Sequence, residues 1–242
     1  MRYLLPVCML FASCGGASAS GKVVDLPPYP IAADKAVLFL DSYCAGQDST
    51  GFGAFFDQWS NALQPNTGFS SEKEKAAYEV FALVFRPDKV ESLGEWEPGG
   101  KGIYTGQPYV VLPKELAIEV EGTPDTLRDF RPAVAQSAGK PLYLTAAYDS
   151  VLPRFLQGKS EKPVTSESLG RGEWLRKWVL VITKHNEGWY VISHPLVNRI
   201  QFDKSLQRAT IHFRLGYQFG EAVAVKKGEA WELESSQATA IE

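Results

Sequence analysis

An α+β fold is what the sequence predicts: an N-terminal helical subdomain with a strand pair, followed by a helix and an antiparallel sheet. Two observations carry the expectation. Between Ala209 and Tyr217 every second residue is apolar, which is the period of a half-buried strand. Between Gly51 and Leu63, Phe52, Phe55, Phe56, Trp59 and Leu63 fall at i, i+3, i+4, i+7 and i+11, which gathers four aromatic rings and a leucine on one face of a helix. The chain of 242 residues, 45% hydrophobic and 22% charged, suffices for one large core or two modest ones.

The first twenty residues read as an export signal. Arg2 is a thin positive start, Tyr3 to Ala12 a short apolar stretch, and small residues follow. The apolar stretch is too short to span a bilayer. Residues 21–31 form a proline-rich tether, with Leu26-Pro27-Pro28-Tyr29-Pro30 biased toward extended polyproline geometry.

Residues 32–122 make the first folded unit. Ala32 to Tyr43 is a short helix by its pattern, although its apolar run also fits a buried strand. Pro65 closes the aromatic helix that begins at Gly51. Ser71-Glu72-Lys73-Glu74 has the spacing of a capping box and starts the next helix, whose stripe of Ala77, Val80, Phe81, Val84 and Phe85 ends at Arg86-Pro87. These two aromatic helices are expected to face each other as a pair, their rings serving as core. After the glycine-rich stretch at Glu97 to Gly102, Ile103 to Leu112 reads as a strand that pairs with Leu116 to Val120 across Pro113. Gly122 to Asp125 marks the boundary of the unit.

Residues 123–242 make the second. Leu144, Tyr148, Val151, Leu152 and Phe155 recur at helical spacing after Thr145, with Pro153 predicting a kink or an early end. Gly158 to Glu173 reads as a long polar loop. Strands follow from Trp178 to Thr183, Trp189 to His194, Val197 to Phe202, Ala209 to Tyr217, Glu221 to Val225 and Trp231 to Glu234. The last three are joined by connections too short for crossovers and form an antiparallel meander.

Charge and motifs narrow the chemistry. A formal net charge of −3, with no run of Lys or Arg, excludes the electrostatic footprint of a nucleic-acid binder. No Gly-x-Ser-x-Gly elbow, His-Glu-x-x-His or Cys-x-x-Cys is present, and His185, His194 and His212 lack the spacing of paired ligands, so no metal or cofactor is expected. Gly158-Lys159-Ser160 mimics the end of a phosphate loop, but Pro153 stands where the opening glycine is needed. The polar set that survives is His212 and Arg214, projecting together from one strand, with Glu221 entering the next strand close by. Facing a cavity, they would line a ligand pocket with a titratable imidazole. Facing water, they are an ordinary surface charge pair. Arg131, before Pro132, reads as a structural clamp on a carboxylate.

Two resemblances add to these readings. Phe11-Ala12-Ser13-Cys14 resembles the lipobox of bacterial lipoproteins, with Phe11 where the pattern prefers Leu. That implies cleavage before Cys14 and a lipid on its thiol; the other reading is ordinary secretion after the Ala-x-Ala site Ala17-Ser18-Ala19. Cleavage before Cys14 removes Arg2 and leaves 24 basic against 28 acidic side chains. Cys44 is then the one thiol left unmodified, with no partner for a disulfide, and reads as a small core residue. The C-terminal half, with Gly220-Glu221-Ala222, Lys227 and Trp231, is similar to the cone-shaped, curled sheet of the nuclear-transport-factor-like superfamily. The chain as a whole looks like a group of uncharacterised bacterial lipoproteins through Asp129-Phe130-Arg131-Pro132, Pro141 to Thr145 with Tyr148, Phe155-Leu156, Phe213-Arg214 and Gly220 to Ala222. The resemblance implies an envelope protein, lipid-anchored through Cys14 or else periplasmic or secreted. It is expected to bind a small molecule, a glycan or a protein without chemistry. The alternative is an exported isomerase, dehydratase or hydrolase built on His212 and Glu221. The superfamily's general-base aspartate and oxyanion-hole pair match no position here, so its catalysis is not carried over.

Overall fold

In the computed structural model, which describes residues 26–94, 104–160, 164–184 and 188–241, a short parallel ribbon separates two hydrophobic cores. Its strands are β1 (Tyr109–Leu112) and β4 (Lys140–Tyr143), paired in the register Tyr109↔Lys140. Val110, Leu112 and Tyr143 point into one core, and Tyr109, Val111 and Leu142 into the other. A strand buried on both sides carries no apolar–polar alternation, which is why β1 reads as a plain apolar run.

The first core lies under a six-stranded sheet. Its members are β2 (Glu115–Val120), β3 (Thr123–Arg128), β7 (Leu196–Phe202), β8 (Arg208–Leu215), β9 (Gln218–Lys227) and β10 (Ala230–Ile241), in the order β10-β9-β8-β7-β2-β3. The expected meander is β8-β9-β10, and every neighbouring pair is antiparallel except β2 with β7. Ile211, Phe213 and Leu215 of β8 face α3 (Glu72–Val84) in this core, with Phe81 and Phe130 in edge-to-face contact at 4.9 Å. The Ser71 hydroxyl accepts from Glu74 N at 3.1 Å, as the capping box requires. The Glu74 carboxylate reaches back one residue further than expected, accepting from Ser70 N and Ser70 Oγ at 2.7 and 2.6 Å.

The second core is helical. It gathers α1 (Ala33–Ala45), α2 (Ser49–Ala62), α4 (Val151–Gln157) and α5 (Ser166–Leu175) around the predicted aromatic face of α2, whose Phe52, Phe55, Phe56 and Trp59 are all buried. Full burial of side chains this size is worth roughly 1.5–3 kcal/mol each. Trp59 Nε1 donates to Tyr143 O at 3.0 Å and stitches α2 to the ribbon. Arg171 joins three helices: it pairs with Asp41 of α1 at 2.7 Å and Glu167 of α5 at 2.8 Å, and donates to Phe155 O of α4 at 2.6 Å.

The structure is α+β, with helices and sheet arranged differently from the sequence expectation in several places. α2 and α3 belong to different cores and do not form a facing pair. β2 pairs with β3 and β7, not with β1, because β1 is already flanked by β4 and by Ser193, whose N–H donates to Val111 O. The sheet is backed by α3; α4, expected to lie there, packs in the helical core. Pro153 neither kinks nor ends α4, since it occupies the first turn, where a missing N–H costs nothing. The second half of the expected loop from Gly158 to Glu173 belongs to α5, opened by a reciprocal Thr165–Ser168 cap. Gly170 and Gly172 depress its helix propensity, and Gly172 is needed because a Cβ there would stand 2.9 Å from the Trp189 ring. The expected boundary at Gly122 to Asp125 is the turn and first residues of the β2–β3 hairpin, so the six-stranded sheet takes strands from both sides of it.

The end of the proline-rich stretch is part of the folded body. Ile31 N donates to Tyr148 OH at 2.9 Å, Tyr29 lies 4.9 Å from the Tyr148 ring, and Pro27 O accepts from Gln58 Nε2 at 2.6 Å. The export segment, Cys14 and His185 lie outside the described residues. Among the described residues no helix is long and apolar enough to cross a membrane.

Candidate functional site

The three residues singled out by the sequence do not converge. His212 and Glu221 are register partners on β8 and β9, on the sheet face opposite α3. His212 Nδ1 stands 3.7 Å from Glu221 Oε2, with side chains 32% and 36% exposed. They continue into a polar ladder. His212 Nε2 lies 2.7 Å from Gln201 Oε1, and Gln201 Nε2 donates to Glu119 Oε2 at 3.0 Å. Because the amide spends its N–H₂ on the carboxylate, its oxygen faces His212, and the imidazole must carry its proton on Nε2. A ladder this open is ordinary surface electrostatics, worth little to stability.

Arg214 turns away from that ladder. Its Nε donates to Gly216 O at 2.5 Å and its guanidinium lies 5.3 Å from the centre of the Phe219 ring. It lines a small hollow with Ile182, Tyr190, His194, Gly216 and Tyr217. Arg131 finds no carboxylate partner among the described residues, and its buried Nε is without a hydrogen bond.

That hollow adjoins a larger cleft of about 540 Å³, lined by Gln107, Arg176, Val179 to Thr183 and Tyr217. Ile182 and Tyr217 belong to both. The cleft is placed by the end of α5. Trp178 N and Val179 N both donate to Leu175 O, so the chain turns sharply and runs out along β5 (Ile182–Lys184), which pairs with β6 (Gly188–Tyr190). Arg176 steadies the turn, its Nε donating to Val181 O at 3.2 Å while its guanidinium pairs with Glu173. On the opposite lip, Tyr217 sits in the β8–β9 turn after Gly216, whose φ is +64°. No other residue fits there: the conformation favours glycine, and a Cβ would overlap the Tyr104 hydroxyl.

His194 lines the hollow rather than the cleft and is 1% exposed. Its ring lies 5.2 Å from that of Tyr104 and 6.1 Å from that of Tyr190, and its Nδ1 has no hydrogen-bond partner. Burial, and after it the nearby Arg214 guanidinium, pushes its pKa down to about 4, against the pull of the Ile192 carbonyl. The ring is therefore neutral at physiological pH and offers one donor and one acceptor. The sequence reading considered His194 only as a metal ligand. The signal that bore on the cleft was the unbroken run Val179-Leu180-Val181-Ile182, expected as part of a strand from Trp178 to Thr183, of which only Ile182 and Thr183 belong to a strand.

Among the described residues no group of three His, Cys, Asp or Glu side chains could hold a metal ion. Cys44 is a half-buried free thiol on α1 whose pKa is raised by desolvation, which leaves it a weak nucleophile. Set against models of known families, curated proteins and solved structures, the chain finds no match.

Proposed function

We propose that this chain is an exported, lipid-anchored bacterial envelope protein whose folded domain is a binding module rather than an enzyme. The observation that carries the binding reading is the cleft at Gln107, Arg176, Val179 to Thr183 and Tyr217, whose volume falls in the range of ligand pockets. His194, the buried titratable group of the adjoining hollow, has Tyr104 and Tyr190 as its described ring neighbours and the Arg214 guanidinium close by, with no carboxylate lining the hollow. That setting suits recognition more than nucleophilic or acid–base chemistry. The anchor rests on the resemblance of Phe11 to Cys14 to a lipobox.

The pinned segment from Pro27 to Ile31 bears on how the anchor works. If Cys14 carries lipid, only the eleven residues 15 to 25 separate it from the folded body, a reach of at most about 40 Å. The domain then stays close to the bilayer.

Both halves are testable. Cys14→Ser should abolish incorporation of labelled palmitate and release the protein from the membrane fraction; unchanged labelling would sink the anchor. A thermal-shift screen of small molecules should yield ligands that raise Tm of the native chain and not of Ile182→Trp, which fills the cleft. Ligands that shift both equally would place binding elsewhere.

A further inference from the structure

The cleft's lining separates into an apolar wall, an aromatic lip and a set of hydrogen-bonding groups with little net charge. Val179 to Ile182 supply the wall. Tyr217, 45% exposed, presents a ring at the entrance shared with the inner hollow. Gln107 brings an amide, Thr183 a hydroxyl and Arg176 a guanidinium whose charge is matched by Glu173. No carboxylate is among the lining residues of either cavity. In the adjoining hollow, whose volume of about 10 Å³ admits no more than one water-sized group, stands His194, 1% exposed, with Nδ1 lacking a partner.

Resting on the reading of this cleft as a binding site, we propose that its ligand is a neutral saccharide, one ring stacked on Tyr217 and its hydroxyls met by Gln107, Arg176, Thr183 and His194. The chemistry fits each part. An aromatic face carries negative charge density and attracts the electropositive C–H face of a sugar ring. A hydroxyl both donates and accepts, as do a neutral imidazole and a primary amide, so the two sides satisfy each other without a formal charge. A lipid tail in the same space would cover the Gln107 amide, the Thr183 hydroxyl and the Arg176 guanidinium with hydrocarbon and offer none of them a hydrogen bond in place of water. An acidic ligand would have to compete with Glu173 for Arg176.

The test is isothermal titration of the full-length chain carrying Cys14→Ser against a panel of neutral oligosaccharides that includes maltotriose, cellotriose and chitotriose, with decanoate as an apolar anionic probe. At least one saccharide should bind. Tyr217→Ala should weaken it tenfold or more, while Tyr217→Phe, which keeps the ring and gives up only the long 3.5 Å bond to Thr183 O, should stay within about threefold of the native chain. His194→Phe should weaken binding severalfold by removing the inner polar contact. Absence of saccharide binding across the panel overturns the proposal, as does binding that Tyr217→Ala leaves unchanged. Decanoate binding that Ile182→Trp abolishes, without saccharide binding, would overturn the ligand class and leave the cleft standing as a site. Binding of neither would remove both.

Discussion

Acid should destabilise this protein through His194, and the size of the effect can be worked from its surroundings. Unfolded, the imidazole titrates near 6.5; folded, it titrates near 4. Between those values the unfolded chain holds a proton that the native state does not, so stability rises with pH across the window. The native state is therefore at full strength above pH 6.5 and weakens as pH falls toward 4. A gap of about 2.5 units, at about 1.4 kcal/mol per unit, comes to about 3.5 kcal/mol in full, of which about 3 kcal/mol is lost by pH 4. The assay is urea unfolding at half-unit steps from pH 8 to 4, on the native chain and on His194→Phe. Phenylalanine keeps a ring against Tyr104 and Tyr190 and cannot titrate, and it gives up one hydrogen bond, that to the Ile192 carbonyl. At pH 7.5 the two proteins should differ by no more than about 1.5 kcal/mol. Carboxylates such as Glu74 and Asp125, held low by hydrogen bonds from Ser70 and Lys73, also lose stability in acid, but equally in both proteins. The difference between the curves therefore belongs to His194. Parallel curves would refute the reasoning, for they would mean that the imidazole takes up its proton in the native state.

Three further substitutions probe the frame around the cleft. Arg171→Ala should cost about 2 kcal/mol in urea unfolding, since a side chain only 14% exposed leaves Asp41 without its cation. Arg171→Lys should recover little, because an ammonium donates from a single point, whereas the guanidinium reaches Asp41 and Phe155 O from one nitrogen and Glu167 from another. Gly216→Ala should cost about 1–3 kcal/mol by the same assay, with the strain of its φ of +64° compounded by the Tyr104 hydroxyl. Tyr148→Phe removes the acceptor for the buried Ile31 N–H. It should cost about 1–2 kcal/mol and open the chain near residues 26–31 to limited proteolysis, where the native protein resists.

Local pattern was a good guide wherever one face of an element is buried and the other wet. The α2 aromatic stripe, the Ser71 cap and the β8–β9–β10 meander were legible because each announces itself within a dozen residues. Strands buried on both sides were not. β1 shows four buried residues in succession, a pattern that says strand or core and nothing about partners, so its pairing with β4, nearly thirty residues on, could not be read. α5 was hidden for a different reason: its two glycines and five polar residues give a weak helical signal, and its stability comes from the Thr165–Ser168 cap, Arg171 and packing against Trp189. As for the site, His212, Arg214 and Glu221 were chosen by their nearness along a meander. The meander does bring His212 to Glu221, but the face they share is open to solvent.

The cleft lies elsewhere because of how the two cores meet. Along its wall, Val179 and Val181 pack into the helical core while Leu180 and Ile182 pack into the core beneath the sheet. β1 divides its side chains the same way. Both segments thus run along the seam between two separately packed bodies, and Tyr109 N bonds Trp178 O where they come together. Close packing is satisfied within each core by its own side chains. At the seam the chain must serve both cores at once, and the space left beside it is where a ligand can be taken in. Residues gathered there come from distant parts of the sequence: Gln107 precedes β1, Arg176 ends α5, Tyr217 lies in the β8–β9 turn. None is near another along the chain, and each is fixed by a local device of its own, a helix terminus or a glycine turn. A substitution that loosens either core without touching the lining, such as Phe55→Ala on one side or Phe81→Ala on the other, should therefore weaken ligand binding as well as stability, because the wall answers to both.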